Sequence, residues 1–357
     1  CSRADERSTG EKSRYIYQLE YESPYDIEEL AVGVDLSLDS NSQIEVCKGE
    51  REQQILNRYL STTSEHSLSP TALFRYVECP LKFYFASIAK LKTNDELCDT
   101  IDALTFGNIL HESMEELYTP ILKVANPNTE IKKMATHDNV AAAVDKTMCR
   151  LLMNSRKVDS NEFSGDMILV RDIIIKYILR GIMRYDIAHE GYTIAGLEKD
   201  VNWQCPISGD RMVNLSGRAD RIDRRTDGSL QIIDYKSGNT PHLEYNGMVA
   251  LFRGGALERV SNIFQTMLYS MILNRKYNLE SCPSLYFASK MLSEEYSPLI
   301  LNRTTGAYVE RYSDISEEFE RELGAILEEL FDYSTPFRQT DDTDMCKYCD
   351  FKKICRR

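Results

Sequence analysis

The chain has 357 residues, of which 42% are hydrophobic and 28% charged, ordinary values for a globular protein with one large or two medium domains. No apolar run reaches the roughly 18–20 residues that a membrane-spanning helix needs, and no signal peptide is visible. The formal net charge of −13 argues against a broadly basic nucleic-acid-binding surface. Residues 1–65 hold 7 basic and 14 acidic residues, so about half of that charge sits in the N-terminal stretch and says little about any one cleft further on.

The first residue is Cys1 rather than methionine. Two readings exist, a lipidated mature lipoprotein and a piece of a longer protein. The second is taken, because the rest reads as intracellular and cytoplasmic. Residues 1–14 are polar and charged and are expected to be disordered. Tyr15 to Tyr21 alternate like a strand, and Ser61-Thr62-Thr63-Ser64 reads as a linker. Ser69 then caps a helix that Pro70 opens and that runs towards Cys79-Pro80.

Residues 105–190 are predicted to be mainly helical. Leu110, Met114 and Leu117 form an apolar stripe, with His111 and Glu115 on the adjacent face, and a long amphipathic helix covers 166–189. After Gly191 the period changes. Segments 193–204, 211–223 and 229–236 alternate as strands, separated by the turn signals Gly209-Asp210 and Asp227-Gly228. A helix over about 258–277, a strand at 284–289 and a helix over about 314–331 follow.

In Leu230–Lys236 the alternation puts Asp234 and Lys236 on one side of the strand, and the hairpin brings Asp220 next to them. Two carboxylates and an ammonium at one sheet end suit phosphodiester hydrolysis. Mg²⁺ or Mn²⁺ takes oxygen ligands and acidifies a water, and a lysine orients that water or steadies developing charge. Taken alone, an Asp-x-Lys on a strand is usually a solvated edge. Asp223 falls on the opposite face from Asp220 and is expected to pair with an arginine. Glu198, opening the first strand, reads equally as a substrate-positioning residue and as a structural one.

Gly217-Arg218-Ala219-Asp220-Arg221-Ile222-Asp223, followed by Asp234-Tyr235-Lys236-Ser237-Gly238, resembles the RecB-like branch of the PD-(D/E)XK nucleases. Gly107-Asn108-Ile109-Leu110-His111 matches an upstream helical motif of that branch, and Gln265 with Tyr269 a downstream one. The resemblance covers about residues 67–357. It implies an α/β, restriction-endonuclease-like core with a central mixed sheet flanked by helices. It implies that His111, Asp220, Asp234 and the main-chain carbonyl of Tyr235 bind Mg²⁺ or Mn²⁺, with Lys236 catalytic. Gln265 and Tyr269 then position the metal-site groups or the DNA backbone.

The ten cysteines do not read as a disulfide framework. Cys346, Cys349 and Cys355 cluster near the C-terminus, and three thiolates make a poor closed site. With Cys79 they resemble the iron–sulfur staple of AddB-type and CRISPR-associated nucleases, which implies a structural [4Fe–4S] cluster. A four-cysteine zinc site and free thiols are the alternatives. Such a closure would tie a loop of most of the chain, on the order of 5 kcal/mol if the disulfide formula is borrowed.

The expected organisation is an acidic extension over 1–66 and a nuclease domain over 67–340. The domain divides into a helical part, 67–190, and a catalytic core, 191–340. A cysteine segment fills 341–357. The implied function is exonucleolytic cleavage of DNA, single-stranded or an unwound end, in double-strand break repair, beside a helicase–nuclease partner subunit. No G-x4-G-K-[ST] phosphate loop is present, so no nucleotide-hydrolysing motor is expected here. The alternatives are a free-standing CRISPR-associated-type nuclease, which the acidic lead-in disfavours, and a non-catalytic DNA-binding iron–sulfur scaffold. The intact His111, Asp220, Asp234 and Lys236 set speaks against the scaffold.

Overall fold

The structure is a computed structural model that describes residues 4–5, 8–9, 13–24, 43–60, 66–91, 101–153, 155, 158, 162–238, 242–255 and 260–357. The expected linker at 61–64 lies outside these, as do most of residues 1–12. The chain forms two compact units, Cys1–Ser42 and Gln43–Arg357.

In the smaller unit Arg14–Glu22 is a helix, not the strand that the alternation of Tyr15, Tyr17, Leu19 and Tyr21 predicted. An alternating pattern makes a strand only when a partner strand takes its backbone groups and its apolar face is covered. Here Tyr15 is 76% and Tyr21 84% exposed, so nothing covers that face. Local hydrogen bonding wins instead, with Gln18 bonded to Glu22 at 2.9 Å and the Ser23 hydroxyl donating to the Leu19 carbonyl at 2.6 Å.

The larger unit is built on four strands, β1 (Tyr192–Pro206), β2 (Met212–Arg225), β3 (Leu230–Lys236) and β4 (Ser281–Phe287), adjacent in that order. β1, β2 and β3 form an antiparallel meander, and β4 joins β3 in parallel, so the sheet is mixed. The two hairpin turns fall where the sequence placed them, with φ of +70° at Gly209 and +86° at Gly228. The crossover from β3 to β4 carries a helix, as parallel pairing requires.

Six longer helices flank the sheet: α1 (Pro70–Glu78), α2 (Ala103–Tyr118), α3 (His137–Leu152), α4 (Gly165–Tyr177), α5 (Ser261–Tyr277) and α6 (Ser316–Phe331). The Ser69 hydroxyl accepts the Ala72 amide at 3.2 Å and starts α1, as the sequence predicted. The long helix expected over 166–189 is present, but its middle turn, Ile178–Met183, is a π-helix.

Two hydrophobic cores form. One gathers residues of α1, α5 and α6, such as Leu73, Phe264 and Phe319; the other gathers residues of α2, α3 and α4, such as Met114, Val144 and Ile174. Strand β3 feeds both. Leu230 and Ile232 enter the first core, Ile233 and Tyr235 the second, as a strand buried on both faces must. Asp234 therefore faces α5, and Tyr235 faces α2.

The larger unit begins at Gln43, so residues 43–60 and 66 belong to it. Glu45–Val46 pairs with Phe337–Arg338, and the Lys48 ammonium donates to the carbonyls of Glu329, Leu330 and Asp332 at 2.8–2.9 Å. Those carbonyls close the C-terminal end of α6, where a helix leaves acceptors unpaired and favours a cation.

Candidate active site

The site sits at the end of the sheet where β2 and β3 separate. Their last paired residues are Arg221 opposite Ile233, so Asp220 and Asp234 come next and face each other. On the other side of β2, Leu197 pairs with Arg221 and Lys199 with Ala219, which leaves Glu198 beside Asp220. Three carboxylates thus line up across three adjacent strands. Glu198 has φ +44°, a left-handed backbone that a residue with a β-carbon adopts only under constraint.

His111 reaches this row from α2. Its Nε2–H donates to the Tyr235 carbonyl at 3.0 Å, and its Nδ1 lies 3.4 Å from Asp220 and 3.8 Å from Glu198. Asp220 accepts the Tyr235 amide at 2.8 Å. Asp234 is held on both sides, by the Lys236 ammonium at 2.7 Å and by Gln265 Nε2 at 2.8 Å. Tyr269, one turn after Gln265 on α5, lies 3.4 Å from it.

Charge crowding sets the protonation of the group. Burial, then the Asp234 carboxylate, push Asp220 up to about 7, against the pull of His111 and Lys236. Burial alone would lower His111, but Glu198, Asp220 and Asp234 outweigh it and raise it to about 9. Burial likewise opposes the charge on Lys236, and Asp234 more than restores it. A row of acids this close holds its charge only with cations among it, and here the cations are a doubly protonated imidazole and an ammonium.

The donor set fits a hard divalent cation. Ligand atoms of His111, Glu198 and Asp220 lie within 4.8 Å of one another. Asp234 Oδ2 is enclosed and takes no well-aligned hydrogen bond, with only the ammonium beside it. Carboxylate oxygens, a carbonyl oxygen and one imidazole suit Mg²⁺ or Mn²⁺. Of the implied ligands, His111 and Asp220 thus stand together with Glu198 in one close group, and Asp234 lies outside it. His111, Glu198 and Lys236 line a cavity of about 640 Å³ whose walls also include Asn108, Arg150, Arg218 and Asn262. These four were not singled out from the sequence. Arg218 could have been, since it sits inside the Gly217–Asp220 motif.

Behind the site lies a buried ionic cage. Arg221, with no exposed surface, donates to Asp223 at 2.6 and 2.8 Å and to Asp186 at 2.6 Å. Asp223 thus pairs with an arginine, as expected. Tyr118 donates to Asp186 at 2.7 Å, and Arg221 lies 3.4 Å from the Tyr235 hydroxyl. The cage joins the end of α2 to β2 and β3, the elements that carry His111, Asp220 and the Tyr235 carbonyl. Asp186 gave no signal in the sequence.

The four cysteines Cys79, Cys346, Cys349 and Cys355 line one enclosed cavity between α1 and the C-terminal segment, and all four are free thiols. Burial raises the thiols of Cys346 and Cys355, and their sulfur neighbours raise them further. Among the described residues, no three of these sulfurs lie within 4.8 Å of one another. Four thiolates around a single zinc ion sit about 3.8 Å apart, from Zn–S bonds of about 2.3 Å in a tetrahedron. The four sulfurs are not gathered into such a group here.

A mixed sheet with helices on both faces, ending in a carboxylate row with a lysine and an imidazole, defines a nuclease. The chain belongs to the PD-(D/E)XK nuclease superfamily, whose family model matches residues 67–356. It is similar to a subunit of the ATP-dependent helicase/deoxyribonuclease of Clostridium perfringens strain SM101, 28% identical over 202 residues. The subunits of the same name from strains ATCC 13124 and 13 are 26% identical over 202 residues. Each match covers 53% of this chain and 17% of the relative, so the chain spans about a sixth of their length.

Proposed function

We propose that this chain is a divalent-metal-dependent DNA nuclease that hydrolyses phosphodiester bonds exonucleolytically at DNA ends, within a helicase–nuclease that acts in double-strand break repair. The observation that carries this reading is the convergence of Glu198, Asp220, Asp234, Lys236 and His111 at one sheet end. The helicase context comes from relatives named as helicase/deoxyribonuclease subunits, and the repair context from the motif resemblance alone. A partner subunit would supply the unwound strand.

Asp220, Asp234, Glu198, His111 and the Tyr235 carbonyl would hold Mg²⁺ or Mn²⁺, which when bound supplies Lewis acidity towards the phosphate and acidifies water. The protein's own groups do the rest. Gln265 fixes Asp234, and Asp234 fixes Lys236, so the ammonium is aimed before substrate arrives. Lys236 orients the attacking water and offsets charge that develops on the phosphate oxygens. Asp220, near 7 without a cation, and His111, near 9, would each have to give up a proton to hold it.

The cysteine cavity is proposed to hold a structural [4Fe–4S] cluster that clamps α1 to the C-terminus. Four thiols lining one cavity support that reading. The cluster would take no part in the cut.

The test is degradation of end-labelled linear DNA, single- and double-stranded, with Mg²⁺, with Mn²⁺ and with a chelator. Metal-dependent cutting is expected, lost in Lys236→Ala, with the fold of the variant checked by circular dichroism. Cutting by a well-folded Lys236→Ala at the wild-type rate overturns the assignment.

A further inference from the structure

Asp186 lies outside the sequence motifs of the site, yet four of the elements that build the site bond to it. It is 1% exposed. Its carboxylate accepts the Tyr118 hydroxyl at 2.7 Å, an Arg221 N–H at 2.6 Å and the Tyr286 hydroxyl at 3.4 Å, and its main-chain carbonyl accepts the Tyr192 hydroxyl at 3.2 Å. Tyr118 is the last residue of α2, about two turns beyond His111 on the same helix. Arg221 follows Asp220 on β2. Tyr192 opens β1, which carries Glu198, and Tyr286 on β4 stands opposite Tyr235 in the parallel register. One buried anion is thus the common partner of α2, β1, β2 and β4.

Tyr235 connects this cage to the site. Its hydroxyl lies 3.4 Å from Arg221, while its carbonyl accepts the His111 Nε2–H at 3.0 Å and its amide donates to Asp220 at 2.8 Å. The rings of Tyr235 and Tyr286 meet edge-on, 5.9 Å apart. A shift of the cage therefore moves the backbone on which His111 and Asp220 both rest. The approach of Asp186 depends in turn on the π-helical stretch Ile178–Met183. Ile174, Ile178, Ile182 and Asp186 are all buried at a spacing of four. In a regular α-helix that spacing drifts by about 40° per step, about 120° over three steps. The wider π turn takes back part of that drift and keeps Asp186 on the inward face. Such turns are rare and recur at functional sites.

We propose that Asp186 is a positioning residue of the metal centre. It holds the tyrosines and the arginine that keep His111, Asp220 and the Tyr235 carbonyl aimed at a common point, and it acts through them without touching metal or DNA. The proposal rests on the metal-dependent nuclease reading for the identity of what those groups hold. Ligands aimed in advance bind a cation without having to be reordered, so loosening the cage weakens metal affinity and leaves DNA affinity alone.

Two variants of the full chain test this. Asp186→Asn keeps the shape and removes the charge. Tyr118→Phe removes one hydroxyl from the cage and decides the matter if the first variant does not fold. Mn²⁺ is titrated into each protein and the free ion is followed by electron paramagnetic resonance, which needs no cutting. Both variants are expected to raise the Mn²⁺ dissociation constant about tenfold, the low end of what partners of metal ligands contribute. Tyr312→Phe is the control: it removes another buried tyrosine hydroxyl bonded to a carboxylate, Glu320 at 3.1 Å, in the other hydrophobic core. Its Mn²⁺ affinity is expected to match wild type. In cutting assays the Mn²⁺ concentration for half-maximal rate moves by the same factor in Asp186→Asn and Tyr118→Phe, and KM for DNA stays at the wild-type value. Wild-type Mn²⁺ affinity in a well-folded Tyr118→Phe and Asp186→Asn overturns the proposal, as does an equal loss of affinity in Tyr312→Phe. A wild-type chain that binds Mn²⁺ and cuts no DNA, with affinity lost in the variants, removes the nuclease reading and keeps the positioning role. Cutting by a wild type whose Mn²⁺ affinity the variants share does the reverse. Absence of saturable Mn²⁺ binding by the wild type overturns both.

Discussion

Replacing Arg221 with methionine tests the buried cage behind the site. The guanidinium has no exposed surface and makes three hydrogen bonds of 2.6–2.8 Å to two buried carboxylates. Methionine refills much of the volume but leaves Asp186 and Asp223 without a cation. Removing one member of a buried ion pair costs about 3–5 kcal/mol, because the remaining charge stays out of water. For a unit of this size that lowers the melting temperature by on the order of 10 °C. The pH dependence gives the reasoning a second handle. Burial already raises Asp223 to about 6, beyond what Arg221 pulls back. Without the arginine Asp223 rises further. A carboxyl whose folded pKa lies above its unfolded value binds more protons when folded, so its destabilising effect fades as pH falls through that window. The penalty of Arg221→Met, measured by calorimetry against wild type, is therefore expected to be larger at pH 8 than at pH 5.5. A melting temperature within about 2 °C of wild type at pH 8, below the range estimated above, would refute the account. So would a penalty that does not change with pH.

A methyl group at Gly217 would stand 2.4 Å from Cε1 of Tyr269, so Gly217→Ala should cost about 1–3 kcal/mol by overpacking. Combining it with Tyr269→Leu should recover on the order of 1 kcal/mol in a double-mutant cycle by chemical denaturation; strict additivity would show that the ring is not what the glycine makes room for. Lys48→Met strips three carbonyls at the end of α6 of their donor and should cost about 2 kcal/mol. Hydrogen exchange at the Gln339 amide, bonded to the Ile44 carbonyl at 3.3 Å, should then speed up, and unchanged protection would count against an anchoring role. Cys79→Ser should abolish iron binding and the broad visible absorption expected of anaerobically purified protein. Colourless wild-type protein with stoichiometric zinc would rule the cluster out.

Much of the site was legible in the sequence because its parts are local. Asp234 and Lys236 share a strand face by the period of two, and the register of the following hairpin puts Asp220 opposite Asp234. Gln265 and Tyr269 share a helix face by the period of nearly four. Ser69, Gly209 and Gly228 mark starts and turns by their own backbone preferences. Glu198 was only half legible. Its position beside Asp220 depends on the register of β1 and on a left-handed backbone at one residue, and neither leaves a periodic trace.

The sequence by itself therefore pointed to residues with the right chemistry and to the elements that carry them. The tertiary structure decided what supports them. Arg221 meets Asp186 across 35 residues, and Lys48 meets the end of α6 across 281. The helix at Arg14–Glu22 shows the same limit in reverse, since its alternation promised a strand and among the described residues no partner strand meets it. Periodicity reports which side chains share a face. What that face meets is set by loop closure and packing among segments distant in the chain, and those decided the cage and the anchor at Lys48.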